Sequence, residues 1–244
     1  MMISMKSKNR ISRSEEYDHQ ALENIRRTLR WMLKHIGFRI LAKYEGAEGL
    51  ENFPAEGPVI VMINHIAFID PIVVLGTLPR NVVPLAKIEV YRVPVFGIFP
   101  KLWQVIPVRR QEFDRQAIRQ ALGVLKAGEC ILMAPEGTRS PALQQGKEGI
   151  AYLGVKSGAP IIPVAVTGSK GFPTFNPLRW LRTGAFVKVG RAFRFRSGED
   201  RPDSKALRLM TDEAMYVLAE LLPEDHRGVY SDLSRATTQT IEFV

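Results

Sequence analysis

His65 and Asp70 lie five residues apart. An imidazole, with a reference pKa of about 6.5, can take a proton from an alcohol. A neighbouring carboxylate can fix the tautomer of the ring and steady the imidazolium that forms. On one continuous helix five residues turn through about 500°, which leaves two side chains about 140° apart. The pair therefore meets only if His65 stands outside the regular helix, and the sequence places it there. Before it, Val59-Ile60-Val61-Met62-Ile63 is an apolar run that reads as a strand buried on both faces. After it, Asp70-Pro71 reads as a helix start, with Asp70 as N-cap and Ile72 to Leu78 as the helix. His65 then lies on a strand-to-helix loop, a common home of active sites. A cap explains Asp70 without chemistry, so spacing alone leaves both readings open.

A second group, Glu136-Gly137-Thr138-Arg139-Ser140, follows the apolar run Cys130 to Ala134 directly. Glycine, hydroxyls and an arginine in one loop suit an anion such as phosphate. The alternative is a surface turn. A third, Pro107-Val108-Arg109-Arg110, ends an apolar stretch broken by Pro94, Pro100 and Pro107. Its arginines fit phosphate ligands and a solvated edge equally well. Other chemistries lack their residues. No G-x-S-x-G elbow is present, and Gly146-Lys147 is followed by Glu148, so it opens no P-loop. The four histidines, His19, His35, His65 and His226, form no metal-spaced pair. The single cysteine, Cys130, excludes an internal disulfide and reads as an inert core thiol.

The elements that must position these groups alternate. Strands are expected at Val59–Ile63, Val82–Ala86, Cys130–Ala134, Ile161–Thr167 and Phe186–Val189. Helices are expected at Arg115–Lys126, Lys147–Lys156 and Asp203–Leu222. This is an α/β chain with a largely buried sheet. Residues 1–20 read as a flexible polar tail and residues 231–244 as a polar C-terminal tail. Residues 21–44 read as a basic amphipathic helix. Leu22, Ile25, Leu29, Met32, Ile36 and Ile40 mark one face, and Arg26, Arg27, Arg30 and Lys34 lie on others. Trp31 and Phe38 add the bulk found at lipid interfaces. Such a helix either packs on its own domain or docks on a membrane.

The 244 residues carry a net charge of +9, which suits an anionic partner. Nucleic acid is the poorest candidate, because no nucleic-acid motif and no stacking aromatics accompany the basic residues. No run reaches the roughly 18 apolar residues of a spanning helix, and the start lacks a signal-peptide core. The expected place is the cytoplasmic side of a membrane, held peripherally.

Four motifs in series resemble the glycerolipid acyltransferase family that contains the lysophosphatidate acyltransferases. N-H-x-x-x-x-D is matched by Asn64, His65 and Asp70, and an apolar stretch ending in arginine by Val93 to Arg109. P-E-G-T-R-S is matched by Pro135 through Ser140, and an apolar strand with a central proline by Ile161 to Gly168. Ala134 departs from the aromatic frequent before P-E-G-T, and Val108 from the acid that often precedes the arginine. The resemblance implies a mixed sheet flanked by helices and an acyltransferase domain over residues 45–230.

It further implies transfer of a fatty acyl group from a thioester to the sn-2 hydroxyl of lysophosphatidate. His65 would be the general base and Asp70 its partner, with no covalent intermediate. Asn64, Arg109, Glu136, Gly137, Thr138 and Arg139 would bind the acceptor, whose phosphate Arg139 suits best. No metal or cofactor is implied; acyl-CoA or acyl-carrier protein is the co-substrate. Glycerol-3-phosphate, another lysophospholipid or a glycolipid is the alternative acceptor. Anionic lipid is the expected surface partner.

Overall fold

The computed structural model describes residues 19–92, 97–109, 114–196 and 202–244. In chain order, α1 (His19–Met32) passes through one wide π-type turn (Leu33–Gly37) into α2 (Phe38–Ile40). Then come β1 (Tyr44–Glu48), β2 (Val59–Ile63), α3 (Asp70–Thr77), β3 (Val82–Lys87), α4 (Ile98–Trp103) and β4 (Ile106–Val108). The second half holds α5 (Arg115–Lys126), β5 (Cys130–Met133), α6 (Gly149–Ser157), β6 (Ile161–Thr167), α7 (Pro177–Trp180), β7 (Ala185–Val189), β8 (Phe193–Phe195), α8 (Ser204–Glu220) and β9 (Ile241–Phe243).

Among the described residues the nine strands form one sheet in the order β1-β7-β6-β2-β5-β3-β4, with β8 and β9 added beside β6. β2 runs parallel to β5 and β6, and β3 runs parallel to β5 and β4. β7 and β8 pair antiparallel with β6, which makes the sheet mixed, as the resemblance implies. The C-terminal ends of β2 through β6 consequently share one edge, and β2 holds its middle.

The continuous apolar runs are explained by burial on both faces. Val59, Val61 and Ile63 of β2 pack in one cluster with α3, Trp103 and the N-terminal helices. Ile60 and Met62 point the other way, into a cluster with α5, α6 and α8. Each fully buried side chain of this size contributes about 1.5–3 kcal/mol relative to exposure.

The N-terminal helix differs from its expected face. Leu22, Arg26 and Leu33 are buried, while Ile25, Trp31, Met32, Ile36 and Ile40 are exposed. The buried face is 22-26-29-33, and the apolar stripe beside it is left open. A π-type turn inserts one residue and rotates the helix beyond it by about 100°. That rotation brings Phe38 inward, so close to Gly76 that a Cβ there would lie 2.4 Å from the Phe38 ring. The same rotation turns Ile40 outward, in line with Met32. Buried Arg26 donates from Nε and Nη2 to the Trp103 carbonyl at 3.1 and 3.0 Å, which ties α1 to α4. Among the described residues no helix is long and apolar enough to cross a membrane.

The C-terminal stretch is also corrected. Residues 231–244 are not a detached tail: they end in β9, whose Ile241 is buried and which pairs with β8. Buried Glu213 of α8 accepts the backbone N–H groups of Gln239 and Thr240 at 2.7 and 2.9 Å. Polar composition concealed this because the attachment runs through backbone groups and one buried acid. The N-terminal tail before His19 lies outside the described residues.

Candidate active site

β2 delivers Asn64 and His65 to the shared edge. Asn64 is 2% exposed. Its amide donates to the Val166 carbonyl at 2.9 Å and accepts the Val166 N–H at 2.7 Å. It thus extends the β2–β6 ladder by one side chain, and a substrate-binding role finds no open polar atom on it. The backbone of His65 is fixed on both sides. Its N–H donates to Glu136 Oε1 at 3.3 Å, and its carbonyl accepts the Ser140 N–H at 2.9 Å.

Asp70 is wholly buried, and the His65 side chain is 15% exposed. Asp70 does not cap α3 as spacing suggested: no side-chain capping bond forms at that helix start. Its carboxylate turns back instead. Oδ2 accepts the N–H groups of Ile66 and Ala67, each at 2.6 Å, and lies 3.3 Å from His65 Nδ1. The loop thus closes on the carboxylate before the helix begins. A carboxylate accepting two N–H groups accepts a third from Nδ1, which places the ring proton there. Nε2 is left with its lone pair and has no hydrogen bond among the described residues. A 3.3 Å contact is loose, as catalytic hydrogen bonds often are before substrate arrives.

β5 pairs in register with β2, Met62 opposite Met133, so Glu136 stands at the level of His65. Glu136 is buried and accepts the Gln144 N–H on Oε2 at 2.8 Å in addition to the bond from His65. Both oxygens hold backbone, so Glu136 pins the histidine loop to the arginine loop. Burial pushes its carboxyl up to about 7, with the nearby Asp70 charge acting in the same direction against the two N–H bonds.

That shift has a definite sign. Between the ordinary value of 4.5 and about 7 the folded chain holds a proton that the unfolded chain has released. The contribution of Glu136 to stability therefore falls as pH rises through this window. Glu136→Gln cannot titrate, and it turns an amide N–H₂ toward a backbone donor at a cost of about 1–3 kcal/mol. Denaturant titrations across the window should show the wild-type advantage shrinking with pH. A difference independent of pH would contradict the assignment.

Gly137 has φ +67°, a left-handed conformation that suits glycine. A Cβ there would lie 3.0 Å from Lys147 Nζ, so the lysine stem covers this turn. Thr138 and Arg139 are exposed beside it. Neither the Arg139 guanidinium nor the Lys147 ammonium has an ion-pair partner among the described residues. Lys147 carries no motif of its own, since Gly146-Lys147-Glu148 opens no P-loop. The lysine is held from behind: the Tyr230 hydroxyl accepts the Gly146 N–H at 3.2 Å, and Arg208 donates to the Gly146 carbonyl at 2.6 Å. Nothing in the local sequence pairs these distant residues.

Arg109 follows β4 at the same edge, exposed, with its N–H on Asp114 Oδ2 at 2.9 Å. Asp114 also caps α5. Strands lie about 4.8 Å apart, so Arg109 stands about 10 Å from the β5 turn, two strands away. Lys87 ends the intervening β3 and pairs with Glu89 at 3.2 Å. It is a second cation missed from the sequence. Arg110 and Val93 to Phe96 of the second motif lie outside the described residues. Cys130 is buried, its thiol pushed up to about 12 by burial, which keeps it protonated and inert. Among the described residues no three His, Cys, Asp or Glu side chains gather as a metal site would need.

A histidine held by a buried carboxylate thus lies beside a cationic turn at the C-terminal edge of an α/β sheet. The chain belongs to the acyltransferase family, whose model matches residues 46–167. The resemblance read from the four motifs is thereby borne out. It is 34% identical over 128 residues to a 1-acyl-sn-glycerol-3-phosphate acyltransferase of Borreliella burgdorferi, covering 51% of each chain. A Pseudomonas aeruginosa protein of the same name is 32% identical over 139 residues, covering 54% of this chain and 52% of that one. The chain thus spans about half the length of these curated relatives. In fold it is similar to the crystal structure of the 1-acyl-sn-glycerophosphate acyltransferase PlsC of Thermotoga maritima. The TM-score is 0.59 at 22% identity, covering 86% of this chain and 83% of that one.

Proposed function

We propose that this chain transfers a fatty acyl group from an acyl thioester to the sn-2 hydroxyl of lysophosphatidate, giving phosphatidate. The observation that carries the reading is the His65–Asp70 pair set one strand from the open Gly137-Thr138-Arg139 turn. The names of its relatives point to the same acceptor.

In this reading His65 Nε2 takes the hydroxyl proton and the oxygen attacks the thioester carbonyl. A tetrahedral oxyanion forms and collapses, the C–S bond breaks, and the imidazolium returns its proton to the leaving thiolate. Acyl-CoA or acyl-carrier protein supplies the thioester. The reaction requires no cofactor and passes through no acyl-enzyme. Arg139, Lys147 and Arg109 hold the phosphate. Ile25, Met32, Ile36 and Ile40, exposed with Arg27, Lys34 and Arg39, rest on the cytoplasmic surface of a membrane. Each cation there adds up to about 1 kcal/mol on anionic lipid.

The test is thiol release by the purified chain, supplied with long-chain acyl-CoA or acyl-carrier protein plus lysophosphatidate, with phosphatidate identified as product. Release with another acceptor but not with lysophosphatidate would refute the substrate. Arg139→Lys keeps the charge and loses the planar fork. It should raise the KM for lysophosphatidate about tenfold with kcat little changed. An unchanged KM would remove Arg139 from the phosphate site.

A further inference from the structure

The loop between β6 and β7 carries side chains that no catalytic role has absorbed. Phe175 is 103% exposed, Leu178 66% and Leu181 81%. A soluble surface seldom places three large apolar side chains within seven residues so fully in water. We propose that residues 170–182 are a second membrane-insertion element, which seats the catalytic edge of the sheet on an anionic bilayer. The proposal rests on the reading above in two respects, that the acceptor is drawn from a bilayer and that the N-terminal stripe rests on it.

Four observations support it. The loop leaves β6 at the C-terminal edge, where His65 leaves the adjacent, parallel β2. It is also a built knob and not a slack loop. Arg179 donates to the carbonyls of Lys170 at 2.7 Å, Thr183 at 2.8 Å and Gly168. Its guanidinium lies 4.1 Å above the buried Phe172 ring, which meets Trp180 edge-on. Trp180 Nε1 closes the knob on the Thr174 carbonyl at 3.1 Å. This scaffold holds Phe175, Leu178 and Leu181 out into solvent, a convex shape that suits insertion between headgroups better than a protein groove.

The charges fit an anionic surface. From Gly168 to Gly184 the sequence has Lys170, Arg179 and Arg182 and no acid. Lys170 and Arg182 are exposed and flank the apolar tips. The knob is also continuous with the N-terminal helical appendage. Lys43, three residues past α2, donates from Nζ to the Arg182 carbonyl at 3.0 Å, and its own carbonyl accepts the Ala185 N–H. The open stripe ending at Ile40 and the tips at Phe175 and Leu181 are thereby joined through one residue. Two separated contacts fix the tilt of a peripheral protein, whereas one helix leaves it free to roll.

The experiment uses the full chain and vesicles of equal phosphatidylcholine and phosphatidylglycerol. Phe175→Ser, Leu178→Ser and Leu181→Ser together should lower vesicle partitioning by about tenfold or more, since each tip loses apolar burial. Turnover of a short-chain, monomeric lysophosphatidate should stay at the wild-type rate while the KM for the bilayer-borne acceptor rises. As a second measurement, Phe175→Trp should give a blue-shifted difference emission on vesicle addition. Unchanged partitioning of the triple variant, or no shift from Phe175→Trp, would overturn the proposal. So would a triple variant that partitions normally but no longer binds acyl-carrier protein, which would make the knob a protein-docking site. Partitioning is read without turnover. If the wild type transfers no acyl group to any acceptor, the acyl-transfer reading fails and the insertion result still stands on its own.

Discussion

His65→Ala should lower kcat about 10²–10⁴-fold, the usual worth of a positioned general base, with the fold retained. Among the described residues the His65 side chain bonds only to Asp70, while its backbone N–H and carbonyl hold Glu136 and Ser140. Alanine keeps both backbone bonds, so the loop geometry survives and the loss is chemical. Thiol release at saturating acceptor measures it, with the denaturation midpoint as control. The KM for the acceptor should change little, because the proposed phosphate ligands are Arg139, Lys147 and Arg109. A variant that kept a tenth or more of wild-type kcat would sink the general-base assignment. A large fall in both stability and rate would point instead to a loop that no longer forms.

The second large effect separates two duties of one carboxylate. Asp70→Ala strips the N–H groups of Ile66 and Ala67 of their acceptor and leaves Nδ1 unheld. A buried donor left without a partner costs about 1–3 kcal/mol, so the expected destabilisation is roughly 2–4 kcal/mol along with near-complete loss of turnover. Asp70→Asn should divide these. Its amide oxygen can still accept the two N–H groups, and its N–H₂ takes the place of Oδ1, which has no hydrogen-bond partner among the described residues. Stability then falls by only about 1–3 kcal/mol, the cost of the unpartnered N–H₂ and less than in Asp70→Ala, but the charge opposite the imidazolium is gone. At an effective dielectric of about 20, that charge is worth roughly 4–5 kcal/mol at 3–4 Å. The expected fall in kcat is about 10³-fold or more. Equal activity losses and equal stability losses in both variants would show a purely structural carboxylate.

Much of the fold lay open in local sequence. β2 and β6 are unbroken apolar runs that occupy the residues expected, because a strand covered on both faces has no polar position to interrupt it. α5 spans its periodic segment from Arg115 to Lys126, with Asp114 as cap. His65, Asp70 and the Pro135-to-Ser140 turn come to one edge for a topological reason. Each follows a strand of the same direction, and parallel strands present their C-terminal ends together.

Other features depend on contacts between distant residues, which no window of sequence contains. A Ser, Asp or Asn before a proline reads as a cap anywhere, yet Asp70 faces backward because the loop N–H groups it closes on are nearer. Asn64 and Glu136 sit inside motifs, and their hydrogen bonds brace backbone at Val166 and at His65 and Gln144, which no local window shows. Lys147 joined the site through Arg208 and Tyr230, from the C-terminal part of the chain. The helical stripe that periodicity assigned to one face is parted within α1, where Leu22 and Leu29 turn inward and Ile25 and Met32 outward, and the wide turn beyond it leaves Ile40 outward too. Residue types and their order thus settled five of the nine strands and the family, and named the candidate groups for moving a proton or holding a phosphate. Which of those groups meet solvent, which brace the backbone and which apolar side chains stay bare was set by packing, because burial and register are properties of the whole sheet.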